Sequence, residues 1–210
     1  NSELKEKPEV ISTGSLGLDW KTVCGGIPKG RVTELFGPES SYKTSLCGHI
    51  IANAQKMGDL AAMIDMEHDV DLNYYKNLGV DTANLVLIQP DSMEQALGIM
   101  ESYIELNKFG VVIFDSVAAG ATMAELEGEI TDQQIGDKAR LMGKSLRRVT
   151  SILGKTNTAL VFTNQIRDSI NRYGSGGTTT PAGRALKFKA SLRISLSIVT
   201  QQMESGGNSF

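Results

Sequence analysis

Cysteine is almost absent from this chain. Cys24 and Cys47 are the only two, and they form no metal-ligand pattern, so a reduced, cytoplasmic setting is the expectation. Long apolar runs are missing as well. None could cross a bilayer, and the polar opening NSELKEKPEV is no secretory signal; no membrane partner is expected. Neither sign of charge dominates, the formal net charge being -3. Affinity for nucleic acid must therefore come from a local basic patch rather than from bulk charge. No internal repeat occurs. What remains is an ordinary globular composition, 40% hydrophobic and 21% charged over 210 residues, which fits one domain with a substantial core.

Short apolar runs alternate with longer amphipathic ones. Residues 31–37 (RVTELFG) read as a strand and residues 43–57 as the helix after it. Residues 60–65 (LAAMID), 85–89 (LVLIQ), 111–115 (VVIFD) and 159–163 (ALVFT) are four more short runs, apolar on both faces. Each precedes a loop or a helical pattern, the signature of an α/β fold whose parallel sheet is covered by helices. Residues 191–199 (SLRISLSIV) alternate polar and apolar, which suits an edge strand with one wet face. Two stretches read as long loops, the acidic 125–136 (ELEGEITDQQIG) and the Gly/Ser/Thr-rich 172–184 (RYGSGGTTTPAGR). Loops of that length are usually functional or mobile.

The strand–helix junction at 37–44 nearly spells a phosphate-binding loop, G-x-x-x-x-G-K-[ST]. Gly37, Pro38, Glu39, Ser40, Ser41, Tyr42, Lys43 and Thr44 occupy the eight positions, and Ser45 follows. Tyr42 stands where the second glycine belongs, so a plain strand–turn–helix is the competing reading. In a working loop, Lys43 reaches the β/γ-phosphates and Thr44 holds Mg²⁺. If Tyr42 adopts left-handed angles, the penalty is roughly 1–2 kcal/mol; its side chain is expected to point away from the phosphates and leave the site working. Three further strand ends carry suitable groups. Asp115 suits an outer-shell Mg²⁺ acid. Glu67 suits the group that orients and deprotonates water, with Asp65 a competitor. Gln165 offers an amide that would sense the γ-phosphate. All fall along one edge of a parallel sheet, where such folds bind ligands.

After Ile135 a helix is expected. Ile135, Ala139, Met142, Leu146, Val149 and Leu153 recur on one face. Arg140, Lys144, Arg147 and Arg148 fall opposite with no acid between them, a candidate phosphate track; a solvated polar face is the alternative. Arg167, Arg172, Arg184, Lys187 and Lys189 cluster around the Gly-rich loop, where Tyr173 is the lone aromatic. Backbone contact and insertion of Ile135 are thus expected in place of base stacking. His49 and His68 are read as structural, and the helically spaced methionines as core filler.

The segments ISTGSLGLDW, GGIPKGRVTELFGPESSYKTSL, IDMEHDVDLNYYKNLGVD, VIFDSVAA, AELEGEITDQQIGDKARLMGKSLRRVTSIL, NQIR and TTTPAGRALKFKASLR together resemble the bacterial RecA recombinase core, in order, from about Ile11 to Arg193. The resemblance implies a RecA-like P-loop NTPase core that uses ATP and Mg²⁺. It implies polymerisation on single-stranded DNA as a helical filament, pairing with a homologous duplex, and DNA-dependent ATP hydrolysis. Residues 37–44 then align with the phosphate loop, Glu67 with the catalytic carboxylate, Asp71 and Tyr74 with the adenine contacts, Asp115 with the Walker-B acid and Gln165 with the γ-phosphate switch. Residues 125–136 and 166–180 align with the two DNA-binding loops, which favours the phosphate-track reading of Arg140, Lys144 and Arg147. Phe188 aligns with a subunit-interface residue. The chain departs from the pattern at Tyr42, where some phage recombinases carry an aromatic residue, and at Ala182, where bacterial members have glycine. Residues 1–10 read as the remnant of an N-terminal polymerisation segment and 11–210 as the ATPase core. The final strands, a lysine pair that reaches the neighbour's ATP and the C-terminal domain are read as missing by this resemblance, so a monomer or weak association is expected. A nucleotide- and DNA-binding module with little turnover is the second reading. Another RecA-fold motor is the third, and ELEGE and ALKF argue against it.

Overall fold

The structure, a computed structural model, describes residues 7–128, 136–169, 177–179 and 185–198. The elements run β1 (Val10–Ile11), α1 (Leu16–Lys21), β2 (Ile27–Pro28), β3 (Val32–Gly37), α2 (Lys43–Lys56), β4 (Leu60–Asp65), α3 (Leu72–Asn77), β5 (Leu85–Ile88) and α4 (Met93–Leu106). There follow β6 (Phe109–Asp115), α5 (Met123–Glu127), α6 (Asp137–Leu153), β7 (Ala159–Gln165), β8 (Arg167–Ser169), β9 (Gly177–Thr179), α7 (Ala185–Lys189) and β10 (Leu192–Ser195).

Six strands form one sheet in the order β10-β3-β7-β6-β4-β5, every pair parallel. Successive side chains alternate faces, so the apolar runs supply two cores. One face sets Val32, Ala62, Phe114 and Phe162 against Met93 and Met100 of α4, Met142 and Leu146 of α6, and Leu186 of α7. The other sets Leu35, Met63, Ile113 and Val161 against Ile50 and Ile51 of α2 and Tyr75 of α3. Helices thus cover both faces, and burial on two sides explains why β6 is buried at all seven positions. The Phe114 and Phe162 rings, 5.4 Å apart, join the two central strands; truncating either to Ala is expected to cost about 3–5 kcal/mol.

The structure corrects several expected details. β5 is the outer strand and only half-buried throughout, so it is not apolar on two packed faces. β6 starts earlier, at Phe109, and β7 runs on to Gln165. β10 lies at the opposite edge as expected but is only four residues long, with Ile194 buried. The expected loop at 125–136 opens as helix α5. Thr122 Oγ1 accepts the Glu125 N–H, and the Glu125 carboxylate accepts the Thr122 N–H, a capping box that nucleates the turn. Ile135, Arg172, Tyr173, Ala182 and Arg184 lie outside the described residues, as does most of the Gly-rich loop. Among the described residues no helix is long and apolar enough to cross a membrane.

Candidate functional site

The C-terminal ends of β3, β4, β6 and β7 converge on a cavity of 540 Å³. At Gly37 a Cβ would meet Leu196 O at 2.3 Å, so the close approach of β3 to the chain after β10 requires glycine there. Ser40 and Tyr42 have left-handed φ values of 56° and 63°. Such residues turn successive N–H groups toward one point, the geometry of anion-binding nests. Tyr42 precedes α2 with no side-chain capping bond, and its side chain is 73% exposed. The left-handed angles are those that carry the penalty reckoned from the sequence. α2 opens at Lys43, so its N-terminal N–H groups and positive dipole end face the cavity. Lys43 is buried, and its Nζ donates to Pro38 O at 2.6 Å, Gly37 O at 3.3 Å and Ser41 Oγ at 3.3 Å. Burial lowers its pKa, opposed by the charges of Glu67, Asp115 and Glu39.

Asp115 ends β6 and is 2% exposed. Thr44 Oγ1 donates to its Oδ2 at 2.9 Å, and Thr163 Oγ1 from β7 donates to its Oδ1. Burial pushes its pKa up to about 6, against the pull of the two hydroxyls. The next residue, Ser116, donates from Oγ to Glu67 Oε1 at 2.5 Å, and Gln165 Nε2 lies 3.5 Å from that same oxygen. Glu67 is thereby held from β6 and β7 while lining the cavity. Asp65 is placed differently. It is fully buried, and its carboxylate accepts the N–H groups of Glu67, His68 and Val70 and the Gln89 amide. Those donors commit Asp65 to holding the turn, so of these two acids it is Glu67 that lines the cavity.

Asp71 does not line the cavity. It caps α3, accepting from Asn73 N at 2.8 Å and Tyr74 N at 3.3 Å. Tyr74 donates its hydroxyl to Ser45 Oγ at 2.9 Å and so reaches the first turn of α2. Asp69 lines the cavity instead, its pKa raised by desolvation and by Glu67 and Asp65. Asp69, Thr163 and Ser116 were missed by sequence reasoning. The first was the one acid of MEHDVD with no pattern to single it out. The two hydroxyls matter only because β7 lies beside β6 and Ser116 faces Glu67, neither of which spacing reveals.

On α6, Met142, Leu146, Val149 and Leu153 are buried, and Arg140, Lys144, Arg147 and Arg148 are exposed. The stripe is buried from Met142 to Leu153, with Ala139 half-buried, and no acid lies between the four cations in sequence, but acids from outside that stretch pair with two of them. Asp137 pairs with Arg140 at 3.0 Å, and Glu101 of α4 pairs with Arg148 at 3.1 Å. The second acid comes from a neighbouring helix, which the sequence of α6 cannot announce. Among the described residues Lys144 and Arg147 make no ion pair. Arg167 lies on β8; its side chain, like Arg172 and Arg184, is outside the described residues. Phe188 is 76% exposed on α7. His68 Nε2 lies 3.3 Å from Pro90 O, whereas His49 is exposed. No cluster of three metal-ligating residues occurs among the described residues.

A parallel sheet whose strand β3 leads through a lysine–threonine turn into α2, with an acid ending a nearby strand, defines a RecA-like P-loop NTPase core. The family model of the RecA N-terminal domain matches residues 1–209, and the chain belongs to that family. Protein RecA of Mesomycoplasma hyopneumoniae strain J is 48% identical over 98% of this chain and 62% of its own length. Protein RecA of Helicobacter pylori strain G27 is 52% identical over 91% of this chain and 55% of its own length. The chain therefore spans less than two thirds of the length of these curated relatives.

Proposed function

We propose that this chain is the ATPase core of a recombinase that binds single-stranded DNA as a filament, hydrolyses ATP in a DNA-dependent way and catalyses homologous pairing and strand exchange. One observation carries the reading: Lys43, Thr44, Asp115, Glu67 and Gln165, from four strand ends, border a single cavity. Gly37, Pro38, Glu39, Ser40, Ser41 and Tyr42 supply the loop, and its N–H groups with Lys43 take the phosphates. Ser45 and Tyr74 lie where the first turn of α2 meets α3 and form the side toward the adenine. Asp71 contributes there by holding α3.

The residues fit a divalent cation. Thr44 Oγ1 and Asp115 Oδ2 are adjacent, and the raised pKa of the buried Asp115 carboxylate marks a negative charge that a cation would stabilise. Bound Mg²⁺ supplies charge neutralisation of the phosphates. Glu67, steadied by Ser116, orients water and accepts its proton. Gln165, within reach of Glu67, contacts the γ-phosphate and stands at the root of the Gly-rich segment. Lys144, Arg147 and Arg140, with Arg167, Arg172 and Arg184, take DNA phosphates, and Ile135 supplies an apolar insertion.

Steady-state ATP hydrolysis with and without single-stranded DNA tests this reading, and a strand-exchange assay separates it from other RecA-fold motors. DNA-stimulated turnover is the expected result. A second reading, a nucleotide- and DNA-binding module with little turnover, draws on the left-handed Tyr42. Tight ATP binding without stimulated turnover would favour it.

A further inference from the structure

Glu34 lies in the middle of β3 and is fully buried. Two flanking strands hold its carboxylate. Arg193 Nε of β10 donates at 2.5 Å and Asn164 Nδ2 of β7 donates at 3.0 Å. The Arg193 guanidinium sits 4.3 Å from the centre of the Phe36 ring. In register, Arg193 stands opposite Glu34 and Asn164 opposite Phe36. Glu34 is two residues from Val32 and Asn164 two from Phe162, so the row shares their face, the one that carries α6 and α7.

A fully buried carboxylate is expensive to desolvate even beside a half-buried arginine, and apolar residues of similar volume often serve stability as well. The row is also incomplete. Asn164 is fully buried, yet among the described residues its Oδ1 has no hydrogen-bond partner, so the bond to Glu34 is what orients this amide. The residue after it is Gln165, which pairs in register with Gly37 of the phosphate loop. Ile166 N–H then donates to Gly37 O at 3.2 Å. The height of the Gln165 amide above the loop thus depends on how the end of β7 is held against β3, and Asn164–Glu34 is the side-chain tie at that place. Arg193 fixes Glu34 from the other side.

We propose that Asn164, Glu34 and Arg193 are positioning residues that hold the end of β7 against the phosphate loop and so place the Gln165 amide for γ-phosphate recognition. The inference rests on the reading of the phosphate site above.

The test is the ratio of the Kd for ADP to the Kd for a non-hydrolysable ATP analogue, both with Mg²⁺, measured by calorimetric titration. The wild-type chain is expected to bind the analogue more tightly. Glu34→Leu/Arg193→Met removes both charges together, leaves neither buried alone and takes away the acceptor for Asn164. Asn164→Ala removes the tie to β7. Each is expected to lower the ratio at least about fivefold toward one with ADP affinity kept. A row that only stabilises the sheet would lower the melting temperature and leave the ratio unchanged, and that outcome overturns the inference. A wild-type ratio of one overturns it too, while leaving the phosphate site standing. A wild-type chain that binds neither nucleotide overturns both readings. Should the double variant fail to fold, Asn164→Ala decides alone.

Discussion

Charge is handled in opposite ways at the cavity edge of the sheet and on α6. At the edge, Asp65 and Asp115 are buried and Glu67 is half-buried, and neutral donors hold them: backbone N–H groups, the hydroxyls of Thr44, Thr163 and Ser116, and the Gln89 amide. On α6, Arg140 and Arg148 are held by the carboxylates of Asp137 and Glu101. Neutral donors fix an acid's orientation while leaving its charge for an incoming cation. An ion pair offsets part of the charge it orients, weakly where the pair is as exposed as these. The edge is therefore set up to act on a ligand without rearrangement. Among the described residues the helix leaves Lys144 and Arg147 without an ion pair, and on the proposed reading the other two would give up theirs to take DNA phosphates.

The sharpest way to break this contrast lies at the edge. Glu67→Gln is expected to cut ATP turnover at least about 100-fold while leaving nucleotide affinity within about threefold, because a base acts only in the transition state. Hydrolysis rates beside titrations check it, and unchanged turnover would move the role to Asp69. Asp115→Asn should weaken Mg²⁺-dependent nucleotide binding about tenfold and also stabilise the metal-free chain by up to roughly 3 kcal/mol. The sign follows from a folded-state pKa of about 6, raised above 3.8 by burial. The folded state binds the proton more tightly, so the metal-free wild type gains stability as pH falls from about 6 toward 4, and Asp115→Asn flattens that segment. Thermal melts across that pH range are the measurement.

On α6 the effects are smaller. Arg147→Ala or Lys144→Ala should each reduce the salt slope of single-strand binding by about one. Arg148→Ala should reduce it by less, and Glu101→Gln, which frees Arg148, should steepen it. Equal slopes for Arg147→Ala and Arg148→Ala would erase the distinction between free and paired cations. Tyr42→Gly is expected to change nucleotide affinity by no more than about tenfold, within a left-handed strain of roughly 1–2 kcal/mol.

The edge was the more legible of the two regions. Short apolar runs ending in Asp65, Asp115 and Gln165 mark parallel strands, and a parallel sheet brings their ends to one side whatever the strand order. Hence Lys43, Thr44, Glu67 and Asp115 could be placed together by pattern. The strand order itself is not encoded in spacing. With it were hidden the Thr163–Asp115 bond, the Glu34 row and the half-exposure of β5 at the rim. For α6 the 3.6-residue period identified the buried stripe, but Glu101 enters from α4, more than forty positions away in sequence. Asp71 shows a third limit: an acid two residues before Asn73 suits a helix cap, the role it has on α3, and spacing does not tell whether it serves a ligand as well.

The account depends most on a phosphate loop that works with tyrosine before its lysine. Titration of a non-hydrolysable ATP analogue tests this directly, with and without Mg²⁺. Saturable, Mg²⁺-dependent binding that Lys43→Ala abolishes is the predicted result. No binding by the wild type, with binding restored by Tyr42→Gly, would contradict it.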